Sequence, residues 1–199
     1  GQNSEGKKQY EAQIKQETQN FTEKIVSELD KIDTTDEGLA AGITDVPPEE
    51  APPEIITETE KEIVSKELAK LEDERKQQVL QVLSVAYSKA LEQQKQTAFS
   101  MADNLIAQAK ADWKAAGSSG KADPVKRGAM ISEYLAKVKV MEAQMDAGFG
   151  TLTAKMDEQL RAEGIDPAAL IAQYKAEYNK IKEENKDALM SKAMASVKN

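Results

Sequence analysis

The side chains with the most potential for chemistry in this sequence are carboxylates, which repeatedly occur in close groups. These groups are Glu49 and Glu50, then Glu58, Glu60 and Glu62, then Asp157 and Glu158, and Glu183 and Glu184. Two carboxylates can hydrolyse a glycosidic bond when they face each other across a cleft and an apolar pocket raises the pKa of one. Here almost every acid falls on the polar face of a predicted helix or in a linker. The pattern therefore favours solvated surface charges over an active site.

The chain has no histidine and no cysteine. These absences exclude the Ser-His-Asp triad, thiolate catalysis, cysteine-ligated zinc and iron–sulfur sites, and the ferritin-like site built on Glu-x-x-His. The acids between residues 30 and 38 do not have the spacing of an EF-hand loop, so solvated loop residues are favoured over a calcium site. We therefore expect no catalytic residue, no cofactor and no metal site, and we do not predict an enzyme.

Methionine and tryptophan are the remaining candidates for a functional surface. Met is flexible enough to form an adaptable binding surface, and the relevant residues are Met130, Met141, Met145 and Met156, with Met101, Met190 and Met194. Because Met at helical spacing is more often part of a core, we favour the interpretation that these methionines belong to the core. Trp113 lies four residues before Gly117, where it could cap a bundle or anchor a partner. The candidate partner contacts are Trp113, Met141, Met145 and Met156.

The strongest structural pattern is an eleven-residue apolar repeat between residues 124 and 163. Its large apolar residues are Met130, Tyr134, Val138, Met141, Met145, Phe149, Leu152, Met156 and Leu160. Eleven residues in three turns is about 3.67 per turn, so the apolar stripe stays on one side of a nearly straight helix. Gly148 and Gly150 cost about 1 kcal/mol each inside a helix. The repeat keeps its register through them, and we predict one continuous helix that is kinked or closely approached by a neighbour.

Other helices are predicted on either side of this one. Residues 9–33 repeat with the same period, residues 57–116 run without Gly or Pro, and residues 167–198 follow an Asp-Pro start. Residues 116–121 are predicted to form a flexible turn. Four of the six prolines fall between residues 47 and 53, so residues 34–56 are predicted to be an extended, acidic, Pro-rich linker.

We predict an all-α protein in the form of an elongated antiparallel helical bundle. Residues 1–33 form a tether and an amphipathic helix, residues 34–56 the linker, and residues 57–199 three long helices on which the first helix docks. The charge is uneven, because residues 45–74 carry a net charge of −8, which equals that of the whole chain. An acidic chain without a basic face argues against binding nucleic acid or anionic membranes. No apolar run is long enough to span a membrane.

These features predict a non-catalytic helical scaffold or protein-binding module that meets a protein partner or a second copy of itself. The polar N-terminal residues suit a tether after a removed signal sequence, so we expect export to the cell surface or beyond, with a lipid anchor outside the sequence given. One alternative is a holdase-type chaperone that clasps apolar polypeptide in a Met-rich cavity. Another is a soluble cytoplasmic structural protein that associates with itself.

Overall fold

The computed structural model describes residues 2–42 and 58–198, with side chains from 5 to 41 and from 65 to 195. Within these ranges the chain is helical and has no strand, which confirms the predicted all-α class. The helices are α1 (Gln2–Asp30), α2 (Asp36–Gly42), α3 (Glu58–Ala115), α4 (Gly117–Ala122), α5 (Pro124–Ala162) and α6 (Ala168–Lys198). The four prolines of the predicted linker lie outside the described residues.

The ends of the long helices follow from local sequence signals. The Asp123 carboxylate accepts a hydrogen bond from the Val125 backbone N–H at 2.9 Å, and Pro124 takes the first position of α5. At the other end, Gly164 has a φ of 71°, and the Ile165 N–H donates to the Leu160 carbonyl at 2.9 Å. This is the left-handed C-terminal cap that favours glycine, and it turns the chain into α6.

Two of the helices are long and unbroken, and the sequence alone had left the continuity of the first, α3, open. α3 contains 58 residues, which corresponds to about 87 Å at 1.5 Å per residue. α5 passes through Gly148 and Gly150 without a break, as the repeat predicted.

α1 runs parallel to α5 along most of its length. Near the start, Lys137 Nζ lies 5.6 Å from the centre of the Tyr10 ring. Near the end, Asp30 pairs with Lys155, and Gln159 Nε2 donates to the Leu29 carbonyl at 2.8 Å. From the first of these contacts to the second, the residue numbers increase along both helices. α1 and α5 therefore point in the same direction.

α3 and α6 point the opposite way to α1 and α5. Tyr87 of α3 meets Tyr174 of α6 edge to face at 6.3 Å between ring centres, and its hydroxyl donates to Gln159 of α5 at 2.8 Å. Farther along, Tyr178 of α6 stacks on Phe149 of α5 at 4.0 Å. Four long helices therefore pack side by side, with the two directions alternating along the chain.

The core between these helices is apolar and draws on all four of them. Its most buried side chains include Ile25, Val79, Leu83, Tyr87, Leu105, Met141, Leu152, Met156, Leu160 and Leu189. Burying such side chains contributes about 1.5–3 kcal/mol each, which offsets the entropy lost on ordering long polar helices. The stripe on α5 contributes most of its members to this core.

Two short helices lie where the sequence predicted none. Residues 36–42 belong to the predicted linker but form α2, because the Gly38 N–H donates to Thr35 Oγ1 at 3.3 Å and Leu39 is buried. Residues 117–122 were predicted to be a flexible turn but form α4. Gly117, with a φ of 68°, ends α3, and the buried Gly120 then packs close to Ala116.

The first part of α3 extends past the end of the bundle. Arg75 pairs with Glu163 at 3.3 Å and donates to the Thr34 carbonyl at 3.2 Å, so the other long helices end level with it. Every side chain from 65 to 75 is exposed, and burial on α3 begins at Val79. Residues 58–74, here called the arm, thus project by about 25 Å.

Candidate partner-binding groove

A concave apolar feature lies at the end of the bundle opposite the arm. It is a cavity of about 550 Å³ where α3 ends, α5 begins and α6 ends. Its apolar lining comprises Leu105, Ile106, Ala109, Trp113, Met130, Ile131, Tyr134, Leu135, Met190, Ala193 and Met194. We call it the groove, and its volume falls within the roughly 300–1,000 Å³ of ligand-binding clefts.

Several large apolar side chains in the groove are exposed. The exposed fractions are 41 % for Ile131, 37 % for Leu135, 40 % for Met190 and 56 % for Met194. A single exposed apolar side chain is ordinary, but a contiguous group that lines one cavity is typical of an interaction surface. The groove is therefore the best candidate for a functional site.

The floor of the groove is held by a hydrogen bond between α5 and α6. The Tyr134 hydroxyl donates to the Leu189 carbonyl at 2.7 Å. Burial raises the pKa of Tyr134 to about 12, so this hydroxyl stays a donor throughout the physiological range. The contact fixes the spacing of the two helices from which Leu135 and Met190 project.

Trp113 lies at the mouth of the groove and is partly exposed. Lys121 Nζ lies 5.6 Å from the centre of its ring, within the range of a cation–π contact. An aromatic ring in such a place can be buried by an incoming partner. Of the four candidate partner contacts, Trp113 is the one that lines the groove.

The other three candidates lie in the core instead. The exposed fractions are 1 % for Met141, 6 % for Met145 and 2 % for Met156. They occupy the side of α5 that the other long helices cover, so no partner can reach them while the bundle is closed. Among the methionines, the groove is lined by Met130, Met190 and Met194.

The end of the bundle that carries the groove is rich in basic residues. Residues 106–139 contain seven Lys or Arg and three Asp or Glu, which gives a net charge of +4. Lys110 and Lys137 line the groove itself, with Asp112 and Glu133, and Lys137 pairs with Glu133 at 3.4 Å. The overall acidity of the chain therefore conceals a local basic excess, which the sequence analysis did not identify.

Three of the four acids between residues 30 and 38 have separate partners. Asp30 pairs with Lys155, and Asp36 lies 3.4 Å from Arg75. The Asp33 carboxylate accepts from the Thr35 N–H at 2.9 Å and from its hydroxyl, and these bonds lower the pKa of Asp33. Across the residues whose positions are described, no group of three or more acids is placed to hold a metal ion.

The paired carboxylates with described side chains lie at the surface. Asp157 binds Arg161 at 2.7 Å, and Glu158 lies 4.0 Å from Lys155. Glu183 and Glu184 are both exposed. The other paired carboxylates lie outside the residues whose side chains are described, namely Glu49, Glu50, Glu58, Glu60 and Glu62. None of the described pairs faces a cleft.

Ile131 and Leu135 are groove residues that the sequence analysis missed. They lie one helical turn apart, next to the stripe residues Met130 and Tyr134. Together these four widen the apolar face at the start of α5, and a widened face indicates more contact than one neighbour requires. The widened apolar face is the sequence signal that could have identified these groove residues, which the regular stripe does not include.

No family model matches the chain, and no curated protein or solved structure is significantly similar to it. Within the described ranges, none of the helices combines the length and apolar character needed to cross a membrane.

Proposed function

We propose that this protein is a non-catalytic protein-binding module whose groove receives an acidic amphipathic helix of a protein partner. The observation that carries the proposal is the contiguous exposure of Ile131, Leu135, Met190 and Met194 around one cavity. An amphipathic helix that lays its apolar face in such a groove would remove these side chains from water. Each Å² of apolar surface so buried is worth about 25 cal/mol before the costs of association.

The shape and charge of the groove support this choice of partner. The groove is walled by stretches of α3, α5 and α6, so a helix can lie among them much as a further member of the bundle. The net charge of +4 over residues 106–139 favours an acidic partner and speeds its approach. Lys110, which is exposed and lines the groove, can meet an acid that flanks the apolar face of the incoming helix.

The burial of the central methionines favours this proposal over a holdase. A holdase of the predicted kind requires the Met-rich stripe of α5 to be exposed in a cavity. Met141, Met145 and Met156 are buried between helices, and the methionines that line the groove are Met130, Met190 and Met194 instead. Action at the cell surface or outside the cell stays a prediction from the sequence, and fractionation of the native protein would test it.

Trp113 provides a direct test because it is the only tryptophan in the chain. A synthetic acidic helical peptide with leucines at positions i, i+3 and i+7 is titrated against the protein, and Trp113 fluorescence is recorded. A peptide of the same composition with leucines spread around the helix serves as the control. We expect a blue shift and saturable binding with the first peptide, because it covers the ring.

Two substitutions locate the binding. Met194→Asp places a charge in the groove and should weaken binding about tenfold or more. Val85→Asp is the matched control, since Val85 is 68 % exposed and lies outside the groove. Equal binding of both peptides, or equal binding by both variants, would refute the proposed site.

A further inference from the structure

The arm has the features that the groove requires in a partner. It is helical, and residues 58–74 contain seven acidic and three basic residues, a net charge of −4. Leu68 and Leu71 are 57 % and 38 % exposed, and they lie one turn apart on the same side of α3. In sequence, Val64 precedes them at the spacing of a third anchor. Among the residues that the structure describes, this exposed apolar pair on an acidic helix has no apolar surface packed over it.

We infer that the occupant of the groove is the arm of a second copy of this chain, so that the protein associates head to tail. The inference rests on the proposed function and identifies its partner. Charge complementarity supports it, because residues 58–74 of the arm carry −4 and residues 106–139, which include two walls of the groove, carry +4, although the charged residues that line the groove itself are balanced. The apolar surfaces also match, since Leu68 and Leu71 are anchors of the kind that amphipathic helices insert into apolar grooves.

A chain cannot fill its own groove with its own arm. Leu71 of the arm and Leu105 of the groove belong to the same continuous helix and are 34 residues apart. That separation corresponds to about 51 Å along a rigid rod. The two surfaces therefore meet only between different copies.

The arrangement has a consequence for the assembly. The arm and the groove are different surfaces, so the contact is heterologous, and each added copy leaves one arm and one groove open. Such a contact produces open-ended chains of copies unless rotation closes a ring. Because opposite charges contribute, association should weaken as salt screens them.

The test uses two full-length variants that each lose one surface. In the arm variant, Leu68 and Leu71 are both replaced by Asp; in the groove variant, Met194 is replaced by Asp. All three side chains are exposed, so the fold is expected to persist, and circular dichroism checks this. Sedimentation velocity then measures the mass of each variant alone and of an equimolar mixture, with Val85→Asp as control.

We expect wild type and Val85→Asp to grow in mass with concentration, and each interface variant alone to associate at least about tenfold more weakly. The mixture should form a 1:1 complex, because the groove variant retains its arm and the arm variant retains its groove. If the arm variant associates like wild type, grooves pair without arms. If the groove variant associates like wild type, arms pair with each other. Either result, or a mixture that stays monomeric, would overturn the inference.

The proposed function can survive that failure. If the synthetic acidic peptide binds at Trp113 but the copies do not associate, the groove has a different protein partner. If the peptide does not bind and the copies still form the 1:1 complex, the arm requires features of this chain that the peptide lacks. If neither occurs, both proposals are wrong.

Discussion

Gly148 and Gly150 lie two residues apart in α5 but have opposite surroundings. A Cβ atom at Gly148 would lie 2.9 Å from Thr22 Oγ1 and 3.3 Å from Thr18 Cγ2, whereas a Cβ at Gly150 would meet nothing within 4 Å. Gly148 is therefore needed for the close approach of α1, and Gly150 is not. The sequence predicted a continuous helix with a kink or a close neighbour at this pair of glycines, but it did not distinguish one glycine from the other.

Replacing each glycine by alanine separates these roles. Gly150→Ala should stabilise the protein by about 0.5–1 kcal/mol, because alanine favours the helix. Gly148→Ala should cancel that gain or destabilise, because the new methyl group pushes against α1. Urea unfolding of the two variants measures the difference. A Gly148→Ala variant as stable as Gly150→Ala would mean that α1 does not pack there.

Met145 and Met194 provide a contrast between the core and the groove. Met145 is 6 % exposed, and Met194 is 56 % exposed. Met145→Asp should cost on the order of 3 kcal/mol, since it buries a charge without a partner. Met194→Asp should leave thermal unfolding nearly unchanged. Similar melting temperatures for the two variants would show that the core is not where the structure places it.

The five tyrosines make the protein sensitive to alkali. Desolvation by burial raises the pKa of Tyr10, Tyr87, Tyr134, Tyr174 and Tyr178, in the case of Tyr134 from 10.0 to about 12. The folded state then keeps its phenol protons at pH values where the unfolded chain loses them. For Tyr134 this contribution to stability is full below pH 10.0 and is lost as the pH rises to about 12.

Tyr134→Phe tests this account with one side chain. Between pH 10.0 and about 12 the variant should lose stability with pH less steeply than wild type, because one titrating phenol is gone. Urea unfolding at a series of pH values measures the slope. Parallel slopes for the two proteins would contradict the burial of this hydroxyl.

At the scale of the helices, the sequence signals were sufficient to predict the long, regular helices. The eleven-residue repeat predicted α5, and the two Asp-Pro starts placed α5 and α6 within one residue. α2 and α4 were missed because they are short and carry glycines, so neither period nor propensity identifies them. α2 depends on the Thr35 cap and on tertiary burial of Leu39, which become apparent only in the folded chain.

Removal of residues 1–45 tests how far α1 and α2 support the other helices. α3, α5 and α6 share their own buried contacts, such as Tyr87 with Tyr174 and Phe149 with Tyr178. We expect the truncated chain to stay helical, melt at a lower temperature and bind a hydrophobic dye on the uncovered face of α5. Circular dichroism and dye fluorescence report both effects. Complete unfolding would show that α1 is integral to the fold.

At the scale of the whole molecule, neither the groove nor the arm, the two surfaces of the proposed contact, could be predicted from sequence patterns. The groove lies where α3 ends, α5 begins and α6 ends, and the arm arises because α3 extends past the ends of its neighbours. Both depend on helix register in space. The sequence shows the acidic excess of residues 58–74 and the widened apolar face near Ile131, but it does not show that these two features lie at opposite ends of the bundle.

The central claim is that the arm of one copy occupies the groove of another. Because the chain contains no cysteine, single cysteines can report this contact cleanly. Ala69→Cys marks the arm beside Leu68, and Ala193→Cys marks the groove. Ala172→Cys, at an exposed position on α6 outside both surfaces, is the control partner.

The measurement is the yield of disulfide-linked dimer after mild oxidation of mixed variants. We predict that Ala69→Cys mixed with Ala193→Cys gives a cross-linked heterodimer whose yield falls as salt is raised. Ala69→Cys mixed with Ala172→Cys should give little. Equal yields for the two mixtures, or dimers of Ala69→Cys alone, would contradict the head-to-tail contact.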